Sequence, residues 1–173
     1  MDTIKAITER ISTRQFSEKM ISEEELKIML DAAMSGPTAT NARDWSFIVV
    51  RDKDTLMKMA DANMKFAEPL RKATLGVLVC GDLERAYKDA PDFWVVDGSI
   101  AAQNMILAAH ALGIGSCWLG VWPMQDRVEN QAKLFDLPEN IIPHSIIAFG
   151  YPKEESTKQK LIYEEDRVHF EKW

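Results

Sequence analysis

The chain has little of what most catalytic, metal-binding or membrane motifs require. Among its 173 residues there are 2 cysteines, Cys80 and Cys117, far apart and each inside an apolar run. That argues against a disulfide framework or a thiolate metal site and points to reduced, buried thiols in a cytoplasmic protein. The 3 histidines, His110, His144 and His169, lack ligand spacing, so no metal is expected. His110 reads as a satisfied packing residue and His169 as a structural one. There is no Gly-x-Ser-x-Gly elbow and no phosphate-cradling Gly-Lys-Ser/Thr. Gly113-Ile114-Gly115 follows a helical stretch, whereas a dinucleotide fingerprint follows a strand. Glu23-Glu24-Glu25 and Asp97-Gly98 read as capping or solvated groups. No apolar run is long enough to span a bilayer: the longest, Ile100 to Leu112, contains Gln103, Asn104 and His110. Met1-Asp2-Thr3-Ile4 does not begin a secretory signal. Positive charge is in deficit, 21 Lys and Arg against 27 Asp and Glu for a net −6. That argues against general nucleic-acid binding, yet it permits a local cationic pocket.

What is present suits one globular domain over residues 1–173. Apolar residues make up 46% of it, and the length supports a substantial core. Asp2 to Arg10 reads as a short helix. Ser22 with Glu25 forms a capping box, and the helix it opens carries Leu26, Met29, Leu30 and Ala33 at helical spacing until Gly36-Pro37. A polar loop from Thr38 to Asp44 precedes a β-rich run from Trp45 to Val50, and Asp52 caps a helix to about Asp61. The stretch from Asn63 to Lys72 is ambiguous: Phe66, Pro69 and Leu70 suit a pocket lid or a packing gap. Leu75 to Cys80 reads as a buried strand and Leu83 to Asp92 as a surface loop. Phe93 to Leu112 should be the central buried helix, because apolar residues occupy most of its faces. Ser116 to Trp122 reads as a strand, Pro123 as the start of a helix to about Leu137, and Ser145 to Phe149 as the last buried strand. The tail from 152 to 173 is polar yet carries Val168, Phe170 and Trp173. Those anchors suit a tail that wraps a second subunit or one that packs on its own domain.

The chemistry concentrates at Arg10-Ile11-Ser12-Thr13-Arg14. If the segment is extended, Arg10, Ser12 and Arg14 project to one side. Two guanidinium forks with a hydroxyl between them suit a phosphate and the polar chain attached to it.

Four ordered blocks resemble the FMN-dependent nitroreductase family. They are the Arg-x-Ser-x-Arg triplet; Gly36-Pro37-Thr38-Ala39-Thr40-Asn41; the run from Ala101 through Gly113-Ile114-Gly115-Ser116-Cys117-Trp118; and Phe149-Gly150-Tyr151-Pro152 followed by Lys158, Lys160 and Val168-His169. The resemblance implies an α+β fold, with a central, mostly antiparallel sheet flanked by helices. It also implies an intertwined homodimer whose C-terminal tail lies on the partner subunit, with one FMN per subunit at the interface. By position, Arg10 would bind the phosphate, Ser12 the ribityl-phosphate end and Arg14 the pyrimidine edge. Pro37, Thr38, Ala39 and Asn41 would touch the flavin held mainly by the other subunit. Trp118, Leu119 and Gly120 would face flavin N5 with their backbone, and Lys158 and Lys160 would be phosphate cations. Many relatives have Asn-x-Gln-Pro-Trp where this chain has Asn41-Ala42-Arg43-Asp44-Trp45, a change that would add a charge pair to the loop.

Such a site explains the lack of acid/base machinery, because the hard chemistry belongs to the cofactor. The implied activity is NADH- or NADPH-driven reduction of nitroaromatics, quinones or similar planar acceptors by ping-pong hydride transfer. Acceptor choice would fall to side chains over the ring, with Phe66, Phe93 and Trp94 as candidates, core packing being the weightier role for each. Two other uses stay open. One is the same flavin fold turned to reductive dehalogenation or flavin breakdown. The other is a non-catalytic dimer that binds a phosphate-bearing ligand.

Overall fold

The computed structural model describes residues 1–154 and 163–173. Its centre is a four-stranded, wholly antiparallel sheet in the order β1-β2-β4-β3. The strands are β1 (Trp45–Val50), β2 (Leu75–Asp82), β3 (Gly115–Gly120) and β4 (Ile141–Gly150). β2 and β4 occupy the middle and are buried along nearly their whole length. That is why they read as continuous apolar runs and not as alternating ones.

Alternation persists beneath that appearance. Leu75, Val77 and Val79 of β2 join Ile147 and Phe149 of β4 in one cluster, with Met29, Ala33, Ala102 and Met105 from helices on that face. Leu78 and Cys80 join Ile146 and Ala148 in a second cluster, with Leu56, Met59, Leu70 and Val128. The domain therefore has three layers. α2 (Glu23–Met34) and α5 (Phe93–Ala111) cover one face, and α3 (Lys53–Ala62), α4 (Glu68–Lys72) and α6 (Gln125–Leu134) cover the other. α1 (Thr3–Glu9) packs beside α5.

Local chemistry sets most boundaries. Ser22 accepts from the Glu25 amide while the Glu25 carboxylate accepts from the Ser22 amide, so the capping box is complete. Asp52 caps α3 through the Thr55 amide at 2.8 Å. Trp94 of α5 packs against β2 at Gly81, where a Cβ would collide with its ring. The expected strand from Ser116 to Trp122 stops at Gly120, and the helix expected from Pro123 opens at Gln125. The chain turns between them, closed by the Met124 amide on the Val121 carbonyl at 2.9 Å. The ambiguous stretch resolves into a turn followed by α4, whose first turn holds Pro69, where proline needs no amide partner. Both cysteines are buried and free, as expected. Among the described residues no helix is long and apolar enough to cross a membrane, and no cluster of metal-ligating side chains occurs.

Candidate active site

The N-terminal triplet reaches the sheet through backbone pairing. Ser12 forms a parallel bridge with Ser116, and the Thr13 amide donates to the Ser116 carbonyl at 2.8 Å. Gly115 permits this approach, since a Cβ there would lie 2.6–2.8 Å from the Thr13 side chain. The result sets Arg14 beside β3. Arg14, Cys117, Trp118, Leu119 and Gly120 line one cavity of about 350 Å³, together with Asn63, Phe66, Glu68, Pro69 and Arg127. Volumes of this size suit a small ligand or part of a larger one.

The electrostatics follow from that assembly. The Cys117 thiol is pushed up by burial, with the nearby charges of Arg14 and Arg10 opposing the shift. Burial thus disfavours the thiolate that a nucleophile would need. Arg14 is exposed, with one long contact from its Nη1 to the Ser12 carbonyl at 3.4 Å. Asn63 is buried, and its Oδ1 has no hydrogen-bond partner among the described residues. A buried amide oxygen of this kind invites a donor from a ligand.

Trp118 is 38% exposed and is backed edge-on by His144, at 5.7 Å between ring centroids. His144 is in turn backed by Trp94 at 5.9 Å. Its Nδ1 pairs with Ser145 Oγ at 3.0 Å, and its Nε2 lies 3.1 Å from the Val95 carbonyl and 3.2 Å from Ser99 Oγ. Burial pushes the His144 imidazole down to about 4, so it is neutral near pH 7.

The Pro37–Asn41 loop is placed elsewhere in the chain and does not line this cavity. It is fixed to α5 by Asp97 and contains Thr40, Asn41 and Arg43 with positive φ. For a β-branched residue such as Thr40 that conformation is costly, so the surroundings must enforce it. Of the two roles expected for Asp97, capping or solvated, it is not solvated: it is buried, and its carboxylate accepts from the Ala39 amide. Nor do Arg43 and Asp44 form a charge pair. Arg43 lies over the Trp45 ring at 5.0 Å, and the buried Asp44 carboxylate has no hydrogen-bond partner among the described residues. Burial, then the charge of Asp97, pushes the Asp44 carboxyl up to about 6.

The remaining expected residues divide. Arg10 ends α1 and is half-buried. Phe66 is 83% exposed on the cavity rim. Phe93 is exposed at the start of α5 and is not a lining residue, and Trp94 is core. Lys158 and Lys160 lie outside the described residues. His110 packs in the last turn of α5, but its Nε2 is buried with no partner among the described residues, so it is not the satisfied histidine expected. Asn63, Glu68 and Arg127 went unassigned from the sequence. They reach the cavity from α3, α4 and α6, and their spacing carries no motif.

A three-layer α+β sandwich with a cationic cavity at one sheet edge defines a class of small ligand-binding domain. The particular family follows from comparison: the model of the nitroreductase family matches residues 7–79 and 67–151, and the chain belongs to that family. It is 43% identical over 173 residues to a protein of Methanothermobacter thermautotrophicus provisionally named an NADH dehydrogenase/NAD(P)H nitroreductase, covering 100% of this chain and 88% of that one. An FMN-dependent nitroreductase from Clostridium difficile R20291 superposes with a TM-score of 0.90 at 30% identity, over 98% of this chain and 99% of that one. The FMN reductase [NAD(P)H] of Bacillus subtilis is 26% identical over 187 residues, covering 98% of this chain and 74% of that one.

Proposed function

We propose that the protein is an FMN-dependent NAD(P)H oxidoreductase that reduces nitroaromatics, quinones or similar planar acceptors in two half-reactions. The observation that carries this reading is the meeting of Arg14 with Trp118, Leu119 and Gly120 around one cavity. The residues fit the cofactor. A flavin's pyrimidine edge carries an N–H between two carbonyls. The cavity offers the Arg14 donors and the unpartnered Asn63 Oδ1, which suit those acceptors and that donor. Bound there, FMN would supply hydride acceptance and donation at its N5.

The chain's own residues then have distinct tasks. Arg10 and Ser12 hold the phosphate and ribityl end, assisted by Lys158 and Lys160 of the tail. Arg14 places a fixed cation where reduction of the ring adds negative charge, which favours the reduced state. The backbone from Trp118 to Gly120 orients the ring's reactive edge. The side chain of Trp118 and the rim residue Phe66 exclude water from that edge.

The unit is a homodimer in this reading. Phe170 and Trp173 are 82% and 101% exposed on the single chain, which suits a tail whose anchors bury on a second copy. The Pro37–Asn41 loop, absent from its own cavity, would complete the partner's.

The test is the visible spectrum of the purified protein, followed by anaerobic titration with NADH and NADPH. A yellow protein bleached by either donor, then turning over nitrofurazone or menadione, is the expected result. A protein that stays colourless after FMN is added overturns the reading.

A further inference from the structure

The cavity holds a cation that the flavin reading leaves unused. Arg127, in the first turn of α6, is half-buried and lines the cavity. Its Nη1 donates to the Gly120 carbonyl at 2.8 Å, the guanidinium's one hydrogen bond among the described residues. The arginine ion pairs among the described residues belong to Arg51, Arg71 and Arg167, and none engages Arg127. Its neighbours Asp126 and Glu129 are exposed on α6. A guanidinium held by a neutral carbonyl keeps its full charge and leaves most of its five donors uncommitted.

The rest of the lining does not cancel this charge. Among the described residues Glu68 is the one acid there, and it is engaged by Lys72 at 3.4 Å and Arg71 at 3.7 Å. Arg14 adds a second cation. In a chain of net charge −6, this cavity is locally positive. An uncommitted planar fork in the lining of a cavity matches an oxyanion carried by a bound molecule.

Resting on the flavin reading of this cavity, we infer that Arg127 is its specificity-determining residue. It takes the oxyanion of a substrate, so the preferred substrates are anionic ones. The oxyanion belongs either to a planar acceptor bearing a carboxylate or to the 2′-phosphate of the donor NADPH, and both would use the same fork.

The test uses the FMN-loaded protein and its Arg127→Gln and Arg127→Lys variants. Glutamine can still donate to the Gly120 carbonyl but carries no charge. The acceptor arm compares kcat/KM for 4-nitrobenzoate and 4-nitrobenzamide, and the donor arm compares NADPH with NADH. Titration calorimetry with benzoate and benzamide on the oxidised protein reads binding without turnover. FMN content and melting temperature confirm that each variant is folded.

The expected result is a wild-type preference for the anion in one arm, residing mainly in KM. Arg127→Gln should reduce it by about tenfold or more, the loss of one charge-assisted hydrogen bond, and Arg127→Lys should restore part of it. Preferences unchanged by Arg127→Gln in both arms, with benzoate binding unaltered, overturn the inference while flavin reduction still stands. Failure of either donor to bleach the wild type overturns the flavin reading instead, and benzoate calorimetry then still reads Arg127.

Discussion

The backbone amide of Ala39 donates to both carboxylate oxygens of Asp97, at 3.2 and 3.0 Å, so α5 holds the 37–41 loop through one charged acceptor. The loop's positive-φ residues need such a clamp. Asp97→Asn keeps an acceptor oxygen but removes the charge. Expected consequences are faster hydrogen exchange at the Ala39 amide and a stability loss of roughly 0.5–1.5 kcal/mol, the net worth of one such bond. The Asp44 carboxyl should also titrate lower, because the Asp97 charge is the second cause of its shift. Carboxyl-carbon NMR titration reads this, and an Asp44 titration that does not move would contradict the pairing.

Asp44 should give this protein an unusual pH response. Its carboxyl is buried without a partner among the described residues and is raised from 3.8 to about 6. The folded state thus holds this proton more tightly than the unfolded state does. The resulting stability is fully present below about pH 4 and is lost as pH rises to about 6. Asp44→Asn removes that slope. Urea denaturation should show the variant gaining on wild type at pH 8 relative to pH 4. An equal difference at both pH values would show that Asp44 does not titrate there.

His144 works in the opposite direction. Burial lowers its imidazole to about 4, against the weaker opposing effect of the Val95 carbonyl. Its contribution is fully present above about pH 6.5 and is lost as pH falls towards 4. His144→Gln should flatten the acid limb of the stability profile. It should also cost roughly 1–3 kcal/mol, through the buried partners it leaves unsatisfied. Because His144 backs Trp118, the variant should shift the Trp118 contribution to the fluorescence spectrum as well.

These residues mark what sequence could and could not show. The Ser22–Glu25 box was legible because both partners lie within one helical turn. β2 and β4 were legible because burial on both faces makes their runs continuously apolar. The strand expected through Trp122 overran because the regular pairing with β4 ends at Gly120 and Ser145, although the Trp122 amide still reaches the His144 carbonyl of β4 at 2.9 Å. Which role Asp97 takes, capping or solvated, was not legible because its partner, the Ala39 amide, is 58 residues away and carries no sequence signal. Trp94 was weighed as a pocket residue with core packing the weightier role, and it is core, its ring filling the space that Gly81 of β2 leaves open. The family blocks did name Arg14 and the Trp118–Gly120 segment, which line one cavity. Arg127 stayed hidden, since one arginine on a polar helix looks like any solvated charge until its Gly120 contact is seen.

Arg10 tests the phosphate assignment. Removing one charged donor from a bound phosphate costs on the order of 1.5–3 kcal/mol. Arg10→Ala should therefore weaken FMN retention by roughly 10- to 150-fold. Equilibrium dialysis followed by flavin fluorescence measures it. Unchanged affinity would move the phosphate elsewhere.

Gly115 offers a test of how the site is assembled, independent of any charge. The N-terminal triplet is aligned by the Ser12–Ser116 bridge, and Thr13 lies against the Cα of Gly115. In Gly115→Ala the new methyl would meet Thr13 Oγ1 at 2.6 Å and its Cβ and Cγ2 at 2.8 Å, closer than real contacts allow. Thr13 is β-branched, so its side chain cannot swing clear without moving its own backbone. The segment should peel from β3 and carry Arg14 with it. Overpacking of this kind typically costs about 1–3 kcal/mol, and FMN affinity should fall although every charged residue remains. Thr13→Gly in the same background removes the obstructing atoms and should recover much of the affinity. If Gly115→Ala binds FMN as wild type does, the bridge to Ser116 does not position Arg14.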